Sequence, residues 1–146
     1  HPIRQSVPEG EWIVPLGKAD VKRQGSQITV VAISYAVRKA LEAAEELDGD
    51  IDVEVVDPRT LVPLDIDTIL KSVEKTGRLL VVHEAPTRGG AGAEIVRQVV
   101  EQGFKFLRAP AKVLGGRNTP MPYSAPLEDA CLPQTADITK AIRELV

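Results

Sequence analysis

The stretch Arg78 to Ile95, RLLVVHEAPTRGGAGAEI, constrains the fold more than any other. Its four consecutive apolar residues, Leu79 to Val82, form a short run uninterrupted by polar residues, the pattern of a strand covered on both faces as in a parallel sheet. The run empties into His83-Glu84, then into a turn containing Pro86, Gly89, Gly90 and Gly92, then into a periodic helix. Polar groups leaving the carboxyl end of such a strand sit where open α/β sheets place their sites.

Read in order, the rest of the chain alternates strands and helices around that stretch. Residues His1 to Gly10 carry no periodicity, Glu11 to Leu16 read as a short edge strand because of Pro15, and charged Gly17 to Gly25 reads as an exposed connection. Ile28 to Ile33 is a β-branched strand. A helix follows through about Leu47, with Val37, Ala40, Leu41, Ala44 and Leu47 at helical spacing and Asp48-Gly49-Asp50 as its stop. Ile51 to Val56 is the next strand, so the unit is a β-α-β crossover. Asp57 to Asp65 is a loop set by Pro58 and Pro63, and Asp65 is placed to cap a helix over Ile66 to Lys75 that closes at Thr76-Gly77. After the focal strand, Arg78 to His83, a helix from about Ala93 to Leu107 presents Ile95, Val99, Val100 and Phe104. A strand over Lys112 to Leu114, a surface run from Gly115 to Pro126 and a final helix from about Thr135 to Val146 complete the chain. The expected fold is a three-layer α/β/α sandwich around a mostly parallel sheet. Residues 1–22 form an extended lead-in and linker and residues 23–146 the domain proper.

Composition narrows the function classes. At 146 residues the chain supports one aliphatic core without disulfide or metal staples. A net charge of -3 with mixed signs gives no nucleic-acid footprint. A lone cysteine, Cys131, leaves no disulfide framework or Cys-x-x-Cys pattern, which fits a reducing cytoplasm, or a mitochondrial matrix in a eukaryote. No apolar run approaches the roughly 18 to 20 residues of a membrane span, so no membrane partner is expected. The chain begins at His1 with a polar lead containing Pro and Gly, as a fragment or processed product would.

Candidate chemistry centres on His83, Glu84, Arg59, Gly90, Gly92 and Glu94. A carboxylate beside the sole internal histidine can tune its titration. Adjacent residues on a strand point to opposite faces, however, which favours a structural or interface histidine over a catalytic one. Gly89-Gly90-Ala91-Gly92 before a helix is compatible with an anion cradle, as free amides and the helix dipole favour negative charge there. The dinucleotide fingerprint fails because, counted from Gly90, its third glycine falls on Ile95, and close packing is the favoured alternative. Arg59 is placed to pair with Asp57 or Asp65, fixing loop shape or meeting a partner. One internal histidine with no carboxylate cluster supplies too few ligands for a metal. Ser34 lacks a nucleophile elbow. No complete catalytic apparatus can be assembled, and no catalytic, cofactor-binding or metal residue is assigned.

The ordered pieces Asp57-Pro58-Arg59-Thr60-Leu61-Val62-Pro63-Leu64-Asp65, Thr76-Gly77-Arg78, Val82-His83-Glu84, Gly92-Ala93-Glu94, Ala109-Pro110, Thr119-Pro120-Met121-Pro122-Tyr123, Leu127-Glu128 and Leu132-Pro133 resemble the carboxyl-terminal domain of transketolase-like enzymes. Within that group the chain is most similar to the β subunit of thiamine diphosphate-dependent 2-oxo acid dehydrogenases of the pyruvate, branched-chain and acetoin type. The family often carries an acidic residue just before the Thr-Pro pair, where this chain has Asn118.

The resemblance implies an assembly domain, inactive alone, in an oxidoreductase that decarboxylates a 2-oxo acid and passes the acyl group to lipoyl-lysine. It implies thiamine diphosphate and Mg in the intact enzyme but none in this chain, because the activating glutamate belongs to an amino-terminal pyrimidine-binding domain and the diphosphate is held mainly by the α subunit. The implied partners are a second β subunit, the α subunit and the subunit-binding domain of the acyltransferase core. Two alternatives stand beside it: the same domain in another transketolase-like enzyme, and an independent anion- or nucleotide-binding α/β module using the glycine turn.

Overall fold

The computed structural model describes residues 9–11 and 13–146. Its sheet is built from β1 (Asp20–Arg23), β2 (Ile28–Ala32), β3 (Val53–Asp57), β4 (Leu79–Pro86) and β5 (Lys112–Gly116), in the spatial order β1-β3-β2-β4-β5. The pairs β2–β3, β2–β4 and β4–β5 are parallel, whereas β1 runs antiparallel along β3. The helices are α1 (Ala36–Glu46), α2 (Ile66–Thr76), α3 (Ala91–Gly103), α4 (Ala125–Cys131) and α5 (Thr135–Arg143), with a 3-10 turn at Phe104–Phe106.

Strand alternation divides the sheet into two covered faces, which makes the domain a three-layer α/β/α sandwich. Val30, Val55, Leu80 and Val82 pack with Ala40, Ala44, Ile138 and Ile142 of α1 and α5. Val31, Val56, Leu79 and Val81 pack with Ile69, Val73, Ile95 and Val99 of α2 and α3. Small alanines along α1 let that helix lie close to the sheet. Chain order and strand order part company at β2, since β3 lies on one side of it and β4 on the other, placing a topological switch point at the carboxyl ends of β2 and β4.

Local chemistry accounts for the helix ends. Asp65 caps α2 by accepting from the Thr68 amide at 3.2 Å, and Gly77 closes the helix in the left-handed region at φ 75. Gln134 and Asp137 form a reciprocal capping box on α5. Lys39 is buried in α1 and donates to the Pro133 carbonyl at 3.2 Å and the Gln134 side chain at 2.6 Å, fastening α1 to the entry of α5.

Several sequence expectations are corrected. The stretch Gly17 to Gly25 contains β1, so the sheet starts at Asp20 and its first strand straddles residues 22 and 23. Val21 is the lone apolar residue between Asp20 and Arg23, so periodicity is silent, and pairing with β3 supplies the structure. The described residues of the expected edge strand, Glu11 and Ile13 to Leu16, form none, because β1 takes the edge position beside β3. Of the expected lead over His1 to Gly10, only Glu9 and Gly10 fall within the described residues. Helix α3 begins at Ala91 and ends at Gly103, and Phe104 is 71% exposed instead of lying on the buried face. The expected surface run after β5 overlaps only the start of α4, at Ala125 and Pro126; the helix follows Ser124 and has a proline in its first turn, a compatible place for a residue without an amide hydrogen.

Candidate functional site

The carboxyl edge of the sheet separates His83 from Glu84. His83, within β4, points to the α2/α3 face and is 3% exposed. Glu84 leaves on the opposite face and lines a crevice of about 510 Å³ with Tyr35, Lys39, Glu42, Glu128 and Asp129 at the switch point. The two side chains therefore form no dyad. The crevice holds four carboxylates and the Lys39 ammonium, and Lys39 is already engaged with Pro133 and Gln134.

Three glycines enclose the His83 ring. A Cβ on Gly90 would stand 2.7 Å from the ring Cε1, one on Gly92 would stand 2.5 Å from Nε2, and one on Gly115 would stand 2.9 Å from Cε1. Real Cβ atoms do not approach so closely, so the imidazole occupies the space that those missing side chains leave open. Gly90 and Gly92 come from the start of α3 and Gly115 from β5, so one ring joins three elements. The adjacent turn adds Gly89 in the left-handed region at φ 74, a conformation glycine adopts without steric cost. The side of the glycine turn considered as an anion cradle is thus packed against the histidine of its own chain.

Electrostatically the cage favours neutral imidazole. Burial pushes His83 below the ordinary histidine range, with the Ala85 backbone working weakly in the other direction. Among the described residues neither Nδ1 nor Nε2 has a hydrogen-bond partner. The start of α3 places the positive end of its helix dipole on the same side, which also disfavours an imidazolium.

The other sequence candidates lie apart from the cage. Arg59 adopts φ 57 after β3, and its guanidinium pairs with Asp20 of β1 at 2.7 Å. The expected side-chain pairing with Asp57 or Asp65 is not made: the Asp57 carboxylate accepts from the Arg59 backbone amide at 2.9 Å, and Asp65 accepts from the Ala19 amide at 3.0 Å. Glu94 stands exposed on the first turn of α3, bridged to Arg97 at 2.7 Å. Its carboxyl is lowered to about 2, first by the hydrogen bond from Arg97 and then by that from Gln98. Among the described residues no three His, Cys, Asp or Glu side chains converge as a cation's ligands would. Reading residues one by one missed Gly115 as a third wall and Glu128 and Asp129 as crevice carboxylates. The signal for Gly115 was its position after a strand that must neighbour β4.

Comparison with known proteins identifies the fold and the family. The family described as "Transketolase, C-terminal domain" matches residues 17–138. The pyruvate dehydrogenase E1 component subunit beta of Rickettsia felis is 41% identical over 140 residues, covering 95% of this chain and 43% of that protein. The beta subunit of acetoin:2,6-dichlorophenolindophenol oxidoreductase from Bacillus subtilis is 43% identical over 145 residues, covering 99% of this chain and 42% of that protein. A solved structure titled "Split gene transketolase, inactive beta4 tetramer" superposes with a TM-score of 0.76 at 27% identity, over 90% of this chain and 43% of that one. The chain thus spans less than half the length of the relatives it matches. By matched family, sequence relatives and fold, it belongs to the transketolase C-terminal domain family.

Proposed function

We propose that this chain is the assembly domain of the β subunit of a 2-oxo acid dehydrogenase decarboxylating component. The observation that carries the reading is the state of the carboxyl edge: its one histidine is sealed in a glycine cage, and the neighbouring glutamate faces the opposite side of the sheet. No nucleophile, base and acid converge there, whereas the sequence relatives named above are the beta subunits of a pyruvate dehydrogenase E1 component and of an acetoin oxidoreductase. In the intact enzyme a 2-oxo acid would be oxidatively decarboxylated and its acyl group passed to lipoyl-lysine. Partners would be a second β subunit, an α subunit and the subunit-binding domain of the acyltransferase core, in the cytoplasm or a mitochondrial matrix.

Thiamine diphosphate and Mg belong, in this reading, to other parts of the assembly. The donor set here does not fit them: His83 is sealed, Asp20 is taken by Lys22 and Arg59, and Asp65 is taken by backbone amides and Thr68. The candidates that reach the surface to meet a partner are Arg59, Glu84, Gly90 and Glu94, while His83 and Gly92 would act by shaping the surface from beneath.

The test is calorimetric titration of the chain with thiamine diphosphate and Mg, with a flat trace expected. Tight binding, or decarboxylation of a 2-oxo acid by the chain alone, overturns the assembly reading. In a reconstituted α-β enzyme, His83→Ala is expected to weaken association or stability more than turnover per assembled site.

A further inference from the structure

We propose that the His83 cage is an acid-sensitive latch on the β4–α3 turn, closed while the imidazole is neutral and opened by its protonation. Ring, walls and exit are all specified by geometry. The ring is 3% exposed and both its nitrogens are buried and unpartnered among the described residues. Gly90, Gly92 and Gly115 stand so close that even one added carbon would collide, which leaves the ring no room to swing toward a new partner inside the cage. The side of the cage toward residues 85–89 is different, because those residues are all exposed. A proton added to the ring makes a buried cation with no charged partner and only backbone at Ala85 to offset it, and such a group must either reach water or remain neutral. Lifting the exposed turn off the ring is the shortest route to water.

No charged side chain stands in to compensate. Glu84 leaves β4 on the opposite face. Arg88 in the turn is exposed, and on α3 Glu94 and Arg97 are paired with each other at the surface. On β5, Lys112 is paired with Glu144 at 2.5 Å, and the remaining contacts near the cage are Val113, the Ala85 and Pro86 carbonyls and the Thr87 amide. The adjoining end of β2 contributes Ile33 and Ser34, neither of which is charged.

Because burial depresses the folded-state value, the unfolded or opened form binds the proton more readily. The latch is therefore fully closed above the ordinary histidine value of about 6.5 and loosens as pH falls from there through the depressed folded value. Opening is local: it exposes residues 84–93 while the β2 and β3 core stays protected.

The experiment is amide hydrogen exchange on the 146-residue chain from pH 7.5 to 5, corrected for intrinsic rates, with the His83 ring followed by NMR in the same samples. The expected result is a ring that titrates below the ordinary histidine value and a loss of protection confined to residues 84–93. That loss grows as pH falls below the ordinary histidine value and is several-fold at pH 5, relative to pH 7.5. His83→Leu, which cannot titrate, is expected to keep protection flat across that range. A wild-type ring that titrates as an exposed histidine does, protection that stays flat in the wild type, or an equal loss in His83→Leu, each overturns the latch. The wild-type ring titration decides the matter even if the leucine variant folds poorly.

Discussion

Two buried polar groups lie on the same α2/α3 face of the sheet and solve burial in opposite ways. Glu54, 2% exposed near the amino end of β3, is surrounded by donors. It accepts from Ser72 at 2.5 Å, from the Gly25 amide at 3.2 Å and from the Lys75 ammonium, and Ser72 is in turn linked through Thr29 to Thr76. His83, 3% exposed near the carboxyl end of β4, has no such partner among the described residues and is accommodated by shape alone. A carboxylate cannot be buried without donors at tolerable cost, so α2 brings a serine and a lysine to it. An imidazole can be buried by staying neutral, and three glycines suffice. One end of this face is thus stapled by hydrogen bonds and the other is shaped by steric fit.

The contrast breaks first under added volume. Gly92→Ala puts a carbon 2.5 Å from His83 Nε2 and 2.8 Å from Val113 Cγ1, so the wall or the ring must move. Overpacking of this kind costs about 3 kcal/mol, measurable as a shift in the denaturant midpoint. His83→Ala in the same chain removes one of the colliding groups, so the double variant should be less destabilised than the sum of the singles. Simple additivity would show that the glycine is not there for the ring.

At the stapled end the sensitive quantity is charge. Lys75→Met keeps the aliphatic stem and leaves the Glu54 carboxylate with Ser72 and Gly25 alone. A cost of about 2 kcal/mol is expected, less than for a fully buried pair because the Lys75 side chain is 43% exposed and water can partly replace it. Adding Glu54→Gln should recover much of the loss. If it does not, the lysine acts by packing, and the two ends of the face resemble each other more than proposed.

A smaller effect tests how α2 is seated. Asp65 caps the end of α2 opposite Lys75 and also receives the Ala19 and Thr68 groups. Asp65→Ala should cost about 1 kcal/mol by thermal unfolding, the usual price of a lost cap. An effect several times larger would mean that the Glu54 network depends on the cap and is no independent staple.

The two ends also differed in how far they could be read beforehand. The strand from Leu79 into His83, the Asp65 cap and the α/β/α layering follow from apolar runs, capping residues and alternation, which are local signals. The packing role of Gly90 and Gly92 was within reach because a failed fingerprint left packing as the alternative. Gly115 was not, since only the pairing of β4 with β5 brings it to the ring. Glu54 went unremarked for the same reason: its donors come from residues 25, 72 and 75, which only β3 and α2 bring together. Strand β1 and helix α4 were missed because each has little apolar periodicity of its own and is fixed by what it packs beside.

Glu94 shows the least consequential kind of electrostatics in the molecule. Its carboxyl is lowered to about 2, yet it lies on the exposed first turn of α3 and its partners Arg97 and Gln98 are held by water nearly as well as by it. A carboxylate depressed when folded adds stability above its unfolded value and loses it as pH falls toward the folded one. For an exposed pair, solvent and salt screen most of that contribution. Glu94→Gln at neutral pH and 0.15 M salt should therefore leave the melting temperature within about 1 °C of the parent and the exchange protection of the glycine turn unchanged. A loss of protection in that turn would mean that α3 is seated by its surface charge as well as by the ring beneath it, and the steric account of the His83 end would have to include Glu94.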